Sequence, residues 1–189
     1  MPLSVRHSGA PRPIFVGFAG RIGAGKTSAA RYLAARYGLQ YRRYSQVLRQ
    51  WVSPADRSRE TLQELGWRIM SGGLQAELNS RVLATLDRSQ GGAIDGLRHP
   101  TDFETLSGAF GGDFHLIFIE APELTRWERM KSQLPTLAEF RDVDSREVER
   151  YVDTLRQQAD AVITNDGTLE HLEHEIETRV IPWTNGVHV

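Results

Sequence analysis

Short apolar runs alternate along the chain with longer stretches whose apolar residues recur every three or four positions, an alternation that predicts βαβ units around a parallel sheet. Five strands are expected. Residues 14–18, 115–119 and 161–163 are near-continuous apolar runs, as strands covered on both faces require, while 39–44 and 93–95 are interrupted by polar residues. Between the first two strands, Ala29, Ala30, Leu33, Ala34 and Tyr37 form one helical stripe that Gly38 can close in a left-handed conformation. Leu62, Leu65 and Ile69, then Leu74, Leu78, Val82 and Leu86, predict two helices over 58–88 broken at Gly72-Gly73. Thr101 with Glu104, and Thr136 with Glu139, fit the capping box, and Pro122 suits a first helical turn. Thr168 precedes Leu169, Leu172, Ile176 and Val180, a last amphipathic helix whose His171 and His174 lie among glutamates on a solvated face. The pattern is that of an α/β three-layer sandwich.

Composition narrows the class. At roughly 150 residues per domain, 189 residues suggest one unit, and 40% hydrophobic with 25% charged residues is globular composition. Residues 1–12, with Pro2 and Pro11 around Ser8-Gly9, are expected to be a flexible tail before a single domain over 13–189. A net charge of −1 lacks the basic excess of a non-specific nucleic-acid binder, so no nucleic-acid partner is expected. No window approaches the ~18 apolar residues of a membrane span, so no membrane partner is expected either. The absence of cysteine excludes disulfides, thiolate metal sites and a cysteine nucleophile, and fits a cytoplasmic protein.

The decisive segment runs Gly20-Arg21-Ile22-Gly23-Ala24-Gly25-Lys26-Thr27, the phosphate-binding pattern Gly-x4-Gly-Lys-[Ser/Thr], placed between an expected strand and an expected helix. Glycines let the backbone turn tightly with its N–H groups aimed at phosphate oxygens. The helix N-terminus adds partial positive charge. Gly20, Ile22, Gly23, Ala24, Gly25, Lys26, Thr27 and Ser28 are therefore the expected ATP cradle, with Lys26 reaching the β- and γ-phosphates and Thr27 able to ligate Mg²⁺. The base-reading Asn-Lys-x-Asp motif of regulatory GTPases is missing, and the chain is short for the further motifs of transporter and helicase ATPases. A small-molecule kinase remains.

The sequence resembles the nucleoside monophosphate kinase-like branch of the P-loop kinases, in particular the deoxynucleoside monophosphate kinases and dephospho-CoA kinase-like proteins. The likeness rests on residues 17–27, Ser45-Gln-Val-Leu-Arg49, Ser58 to Gly66, Ile94-Asp-Gly-Leu-Arg98, Arg126 with Arg129, and Asp160 to Gly167. It implies a five-stranded parallel sheet of order 2-3-1-4-5, an acceptor-binding segment over about 45–90 and a mobile lid over about 126–150. In similar kinases a hydroxyl and a guanidinium after the second strand hold the acceptor's phosphate, which points to Ser45 and Arg49, though a solvent-facing Arg49 is equally compatible. Asp95 falls where a second carboxylate orients Mg²⁺ or the acceptor, and Arg98 would enter the same crevice as a catalytic clamp on phosphate. Arg126 and Arg129, three apart on one expected helix, would reach the transferring phosphoryl group; an ion pair with Glu123 or Glu128 is the competing reading. Asn165 opens a segment like the loop that borders adenine in these kinases, and it is equally a turn before a helix cap. Trp51 and Trp67 suit packing more than base stacking.

The expected lid departs from an arginine-rich pattern. Between 130 and 149 its bases are Lys131, Arg141 and Arg146, against Glu139, Asp142, Asp144 and Glu147. A hydroxyl acceptor calls for a carboxylate just after the second strand, where residues 41–46 hold none and are cationic through Arg42 and Arg43. The expectation is therefore transfer of the γ-phosphoryl of Mg·ATP to a (deoxy)nucleoside monophosphate by a monomer or homodimer whose partners are small-molecule nucleotides. Dephospho-CoA kinase-like transfer to a hydroxyl, and a slow nucleotide-binding switch or assembly factor, are the alternatives.

Overall fold

Five strands, β1 (Phe15–Ala19), β2 (Gln40–Arg43), β3 (Gly92–Leu97), β4 (Phe114–Glu120) and β5 (Ala161–Thr164), pair in parallel in the order β2-β3-β1-β4-β5. The structure is a computed structural model that describes residues 13–51 and 59–184. The expected tail and residues 52–58 of the expected acceptor segment lie outside the described residues. Two-residue periodicity sends alternate side chains of each strand to opposite faces. Val16, Phe18, Ala93, Ile117, Ile119 and Ile163 pack with helices α1 (Lys26–Tyr37) and α9 (Leu169–Val180). On the other face, Phe15, Ile94, Leu116 and Phe118 meet the buried residues of α2 (Tyr44–Leu48), α4 (Gln75–Ala84), α5 (Pro100–Phe110) and α8 (Glu147–Thr154), and α3 (Arg59–Ser71) adds Ile69. The central strands are apolar because they are covered twice; β2 is half-buried along its length, which is why an edge strand can read Gln-Tyr-Arg-Arg.

Helix limits follow the expected signals with three differences, the first that α4 ends at Ala84 and leaves Leu86 beyond it. Gly38 ends α1 at φ 65°, and Gly72-Gly73 separates α3 from α4. The capping box of α5 is His99 with Asp102 rather than Thr101 with Glu104, since the Asp102 carboxylate accepts from the Arg98 and His99 N–H groups at 2.9 and 3.0 Å, and His99 Nδ1 accepts from Thr101 N–H. Pro122 is the N-cap of α6 (Glu123–Met130) instead of lying within its first turn. Thr136 and Glu139 form the expected box at the start of α7 (Leu137–Asp144), and Thr168 caps α9. A third, small cluster joins Phe140 and Val143 of α7 to Ile22, with Trp127 and Leu134 against it. Among the described residues no helix is long and apolar enough to cross a membrane.

Candidate functional site

The loop between β1 and α1 folds as it does because glycine alone fits two of its turns. Gly20 has φ 139° and a Cβ there would lie 2.0 Å from the Ile119 carbonyl oxygen; Gly25 has φ 107° and a Cβ would lie 2.3 Å from Asn165 Nδ2. The chain thus presses against the carboxyl end of β4 and enters α1 with no side chain capping its first turn and no acidic residue there. That leaves the helix end electropositive. Lys26 is buried and donates from Nζ to the Arg21 carbonyl at 2.8 Å. Burial, followed by the nearby Arg98 guanidinium, pulls its ammonium down to about 8.

On one side of the loop stands the end of β3. Register pairs Asp95 with Phe18 of β1 and Arg43 of β2, so neighbouring strand ends deliver their side chains to one place. The buried Asp95 Oδ2 accepts from Thr27 Oγ1 at 2.8 Å and from the Tyr41 hydroxyl at 2.9 Å, and Arg43 Nε lies 3.3 Å away. The Thr27 hydroxyl and the Asp95 carboxylate are adjacent hard oxygen donors of the kind Mg²⁺ takes, at the mouth of an anion cradle, so the residues fit the ion.

On the other side stands α8. Glu149, buried, accepts the Ile22 N–H on Oε2 at 2.9 Å, and its Oε1 pairs with Arg98 Nη1. Burial would push this carboxyl up, but Arg98, Lys26 and the hydrogen bonds hold it below the ordinary glutamate range. Around it runs a chain of ion pairs. Arg126 grips Asp144 through Nη1 at 2.6 Å and Nη2 at 2.9 Å and also donates to the Ile22 carbonyl, while Arg21 bonds Asp144 at 3.0 Å and Asp153 at 2.6 Å. Two acidic residues of the expected lid, Asp144 and Glu149, together with Asp153 just beyond it, close on Arg21, Ile22 and Arg126, while Glu139 caps α7 and Asp142 pairs with Arg146.

Arg126 and Arg129, placed on one face by their spacing, part company. Arg126 pairs with Asp144, whereas Glu123 and Glu128 take Arg141 and Lys131. Arg129 donates to the Asn165 carbonyl at 3.0 Å and to Asn165 Oδ1 at 3.3 Å, and Asn165 Nδ2 in turn donates to the Ala24 carbonyl at 2.8 Å. Asn165 is therefore buried beneath the loop, supporting it from the β5 side. A depression beside it is lined by Leu124, Thr125, Glu128, Arg129, Asp166 and Gly167. Ser45 lies half-buried in α2, and Arg49 is exposed in the turn after that helix rather than at its start. Trp51 packs on the core with the Arg81 guanidinium 4.6 Å over its ring, and Trp67 is half-buried in α3. Arg42 is turned to the Thr85 carbonyl, away from Asp95.

Sequence reasoning missed Tyr41, the role of Arg43, and Glu149. The first two had a signal, since Tyr41 and Arg43 are two apart on a strand and share a face. Glu149 had none: it reaches the loop across 127 residues of chain.

The sheet order, the glycine loop and the Thr27–Asp95 pair define a P-loop protein with the fold of the small-molecule kinases. Similar solved structures include a gluconokinase from Sinorhizobium meliloti (TM-score 0.61, 14% identity, 94% of this chain and 97% of that one). A shikimate kinase from Acinetobacter baumannii in complex with shikimate is also similar (0.58, 21%, 93% and 96%), as is an APS kinase from Mycobacterium tuberculosis in complex with AMPPNP and APS (0.56, 18%, 90% and 99%). The chain belongs to the UPF0200 family: it is 30% identical over 176 residues to the UPF0200 protein of Aeropyrum pernix, covering 87% of this chain and 91% of that protein. It is also 29% identical over 101 residues to the UPF0200/UPF0201 protein of Archaeoglobus fulgidus, covering 51% of this chain and only 31% of that longer relative. No protein-family model matches the chain.

Proposed function

We propose that the chain is an ATP-dependent small-molecule kinase that transfers the γ-phosphoryl group of Mg·ATP to a (deoxy)nucleoside monophosphate. The carrying observation is the meeting of Thr27 Oγ1 and Asp95 Oδ2 at 2.8 Å beside the buried Lys26. Thr27 and Asp95 would hold Mg²⁺, which when bound neutralises charge on the β- and γ-phosphates. The loop amides and Lys26 bind and orient the triphosphate tail for in-line attack, and Lys26 stays protonated against it as charge spreads in the transition state. Arg129 and residues 165–167 would border the base, at the depression beside α6. Ser45 and Arg49, with Arg43 near Asp95, would hold the acceptor within the segment 45–90, and Arg98 would clamp a phosphate once freed of Glu149. Arg126, committed to Asp144, instead organises the segment 126–150 that closes over the loop.

A hydroxyl acceptor is the second reading. The buried Asp95 carboxylate at the end of β3 is a candidate base, and gluconokinase, shikimate kinase and APS kinase are the names its structural likenesses carry. The test is ADP release from Mg·ATP with nucleoside and deoxynucleoside monophosphates, compared with dephospho-CoA, gluconate, shikimate, APS and no acceptor. Stimulation by a monophosphate is expected; stimulation only by a hydroxyl compound selects the second reading, and none above the water background removes the kinase assignment. Lys26→Ala is expected to abolish the stimulated rate.

A further inference from the structure

A cradle of N–H donors and cations without an anion is electrostatically costly, because its positive groups repel one another in a poorly screened site. In this molecule the donors fall into two sets. The first is the uncapped amino end of α1, whose first turn has no side-chain cap on its N–H groups and contains no acidic residue. The second is the Ile22 N–H and the Arg98 guanidinium, and both are filled by one carboxylate, Glu149, 3% exposed and within the field of the Lys26 ammonium. Lys26 is the cation that reaches the outer phosphates of a bound nucleotide, while the helix-end amides take the inner ones. Asp95, the other buried carboxylate at the loop, binds Thr27 at the opposite side and does not compete for these donors.

We infer that Glu149 is a built-in substitute for the terminal phosphate and sets how strongly the loop distinguishes a nucleoside triphosphate from a diphosphate. The inference rests on reading the loop as a nucleotide cradle. A diphosphate takes the helix-end amides with Glu149 in place. A triphosphate brings its outermost oxygens to the donors that Glu149 holds, and two anions cannot share them, so the carboxylate withdraws and Arg98 exchanges one anionic partner for another. Binding of the third phosphate therefore bears the cost of two charge-assisted hydrogen bonds that the diphosphate leaves intact. Arg98 becomes available to a phosphate only in the triphosphate complex, which ties the clamp to the presence of a transferable group.

The test is calorimetric titration of the full chain and its Glu149→Gln variant with Mg·ADP and Mg·AMP-PNP. The variant keeps an acceptor for Ile22 N–H but removes the charge. It is expected to bind AMP-PNP roughly ten- to hundredfold more tightly than the unaltered chain, with ADP affinity unchanged. Equal gains for both nucleotides, or no gain for either, overturn the inference while leaving nucleotide binding intact; failure of the unaltered chain to bind either nucleotide removes the cradle reading itself. A readout without substitution guards against a folding defect: the Ile22 amide and Arg98 Nε resonances of the unaltered chain are expected to shift with AMP-PNP and not with ADP. Equal shifts with both overturn the assignment.

Discussion

Two buried carboxylates flank the phosphate loop, and they are held there by different physics. Asp95 sits at the end of β3 in a sheet whose register places it between Phe18 and Arg43, so its position is set by backbone ladders on both sides. Glu149 rides on α8, which Val152 and Leu155 anchor in the core further along, and it meets the loop through the Ile22 amide and the end of β3 through the Arg98 guanidinium. Its neighbourhood is fastened by the charges of Asp144, Arg126, Arg21 and Asp153. A group fixed by the sheet keeps its geometry through a catalytic cycle, whereas a group fixed by ion pairs can trade partners when an anion arrives. On the readings proposed above, the contrast separates a positioning carboxylate from an exchangeable one.

The contrast breaks hardest at Asp144. Asp144→Ala strands the buried Arg126 guanidinium without its bidentate partner and is expected to lower the unfolding free energy by about 3–5 kcal/mol, read from urea denaturation, with hydrogen-exchange protection lost first over 137–154. A loss below about 1 kcal/mol would mean that the pair behaves like an exposed one and that packing alone holds the segment. Next in size is Asp95→Asn, which keeps one acceptor oxygen but turns the other into a donor amide and drops the charge. Acceptor-stimulated turnover is expected to fall about hundredfold, roughly 2.7 kcal/mol in the barrier, with the denaturation midpoint moving less than for Asp144→Ala. A larger loss of stability than of turnover would reverse the roles assigned to the two sides.

Lys26 lies between both carboxylates and supplies a pH test. In the free protein its ammonium is pulled down to about 8, below the ordinary lysine value, so the neutral form dominates above that pH; a bound polyphosphate favours the charged form and draws a proton back. Affinity for Mg·ADP is expected to be flat below about pH 8 and to weaken by up to about tenfold per pH unit above it, with proton uptake measurable in buffers of different ionisation enthalpy. The folded-state penalty runs the other way: it is fully present below about 8 and is relieved as pH rises toward the ordinary lysine value. The smallest expected effect is Thr136→Ala, which removes half of the capping box at α7 and should cost about 1 kcal/mol in thermal unfolding, confined to the charge-held side.

Legibility in the sequence followed the range of the interactions. The P-loop was readable because its glycines, lysine and threonine are contiguous and each answers a local demand: positive φ at Gly20 and Gly25, and an uncapped helix end behind them. The strands were readable because a doubly covered sheet demands apolar runs, and α7 and α9 because their caps are local. At α5 the expectation failed by a short step, since the competing partner, Asp102, draws on the backbone of Arg98 and His99 at the strand end. The shared face of Arg126 and Arg129 was legible; their partners were not, because Asp144 and Asn165 come from other elements.

Periodicity, and residue types within a few positions of one another, were enough to read off a parallel α/β sandwich and a glycine-rich P-loop after its first strand. It took the folded arrangement to show that Tyr41, Arg43 and Thr27 converge on Asp95, and that Asp144, Glu149 and Asp153 turn onto the loop and its flanking arginines. Such meetings depend on strand register and helix docking across as many as 127 residues of chain, where electrostatic partners are chosen by distance in space and leave no spacing to read.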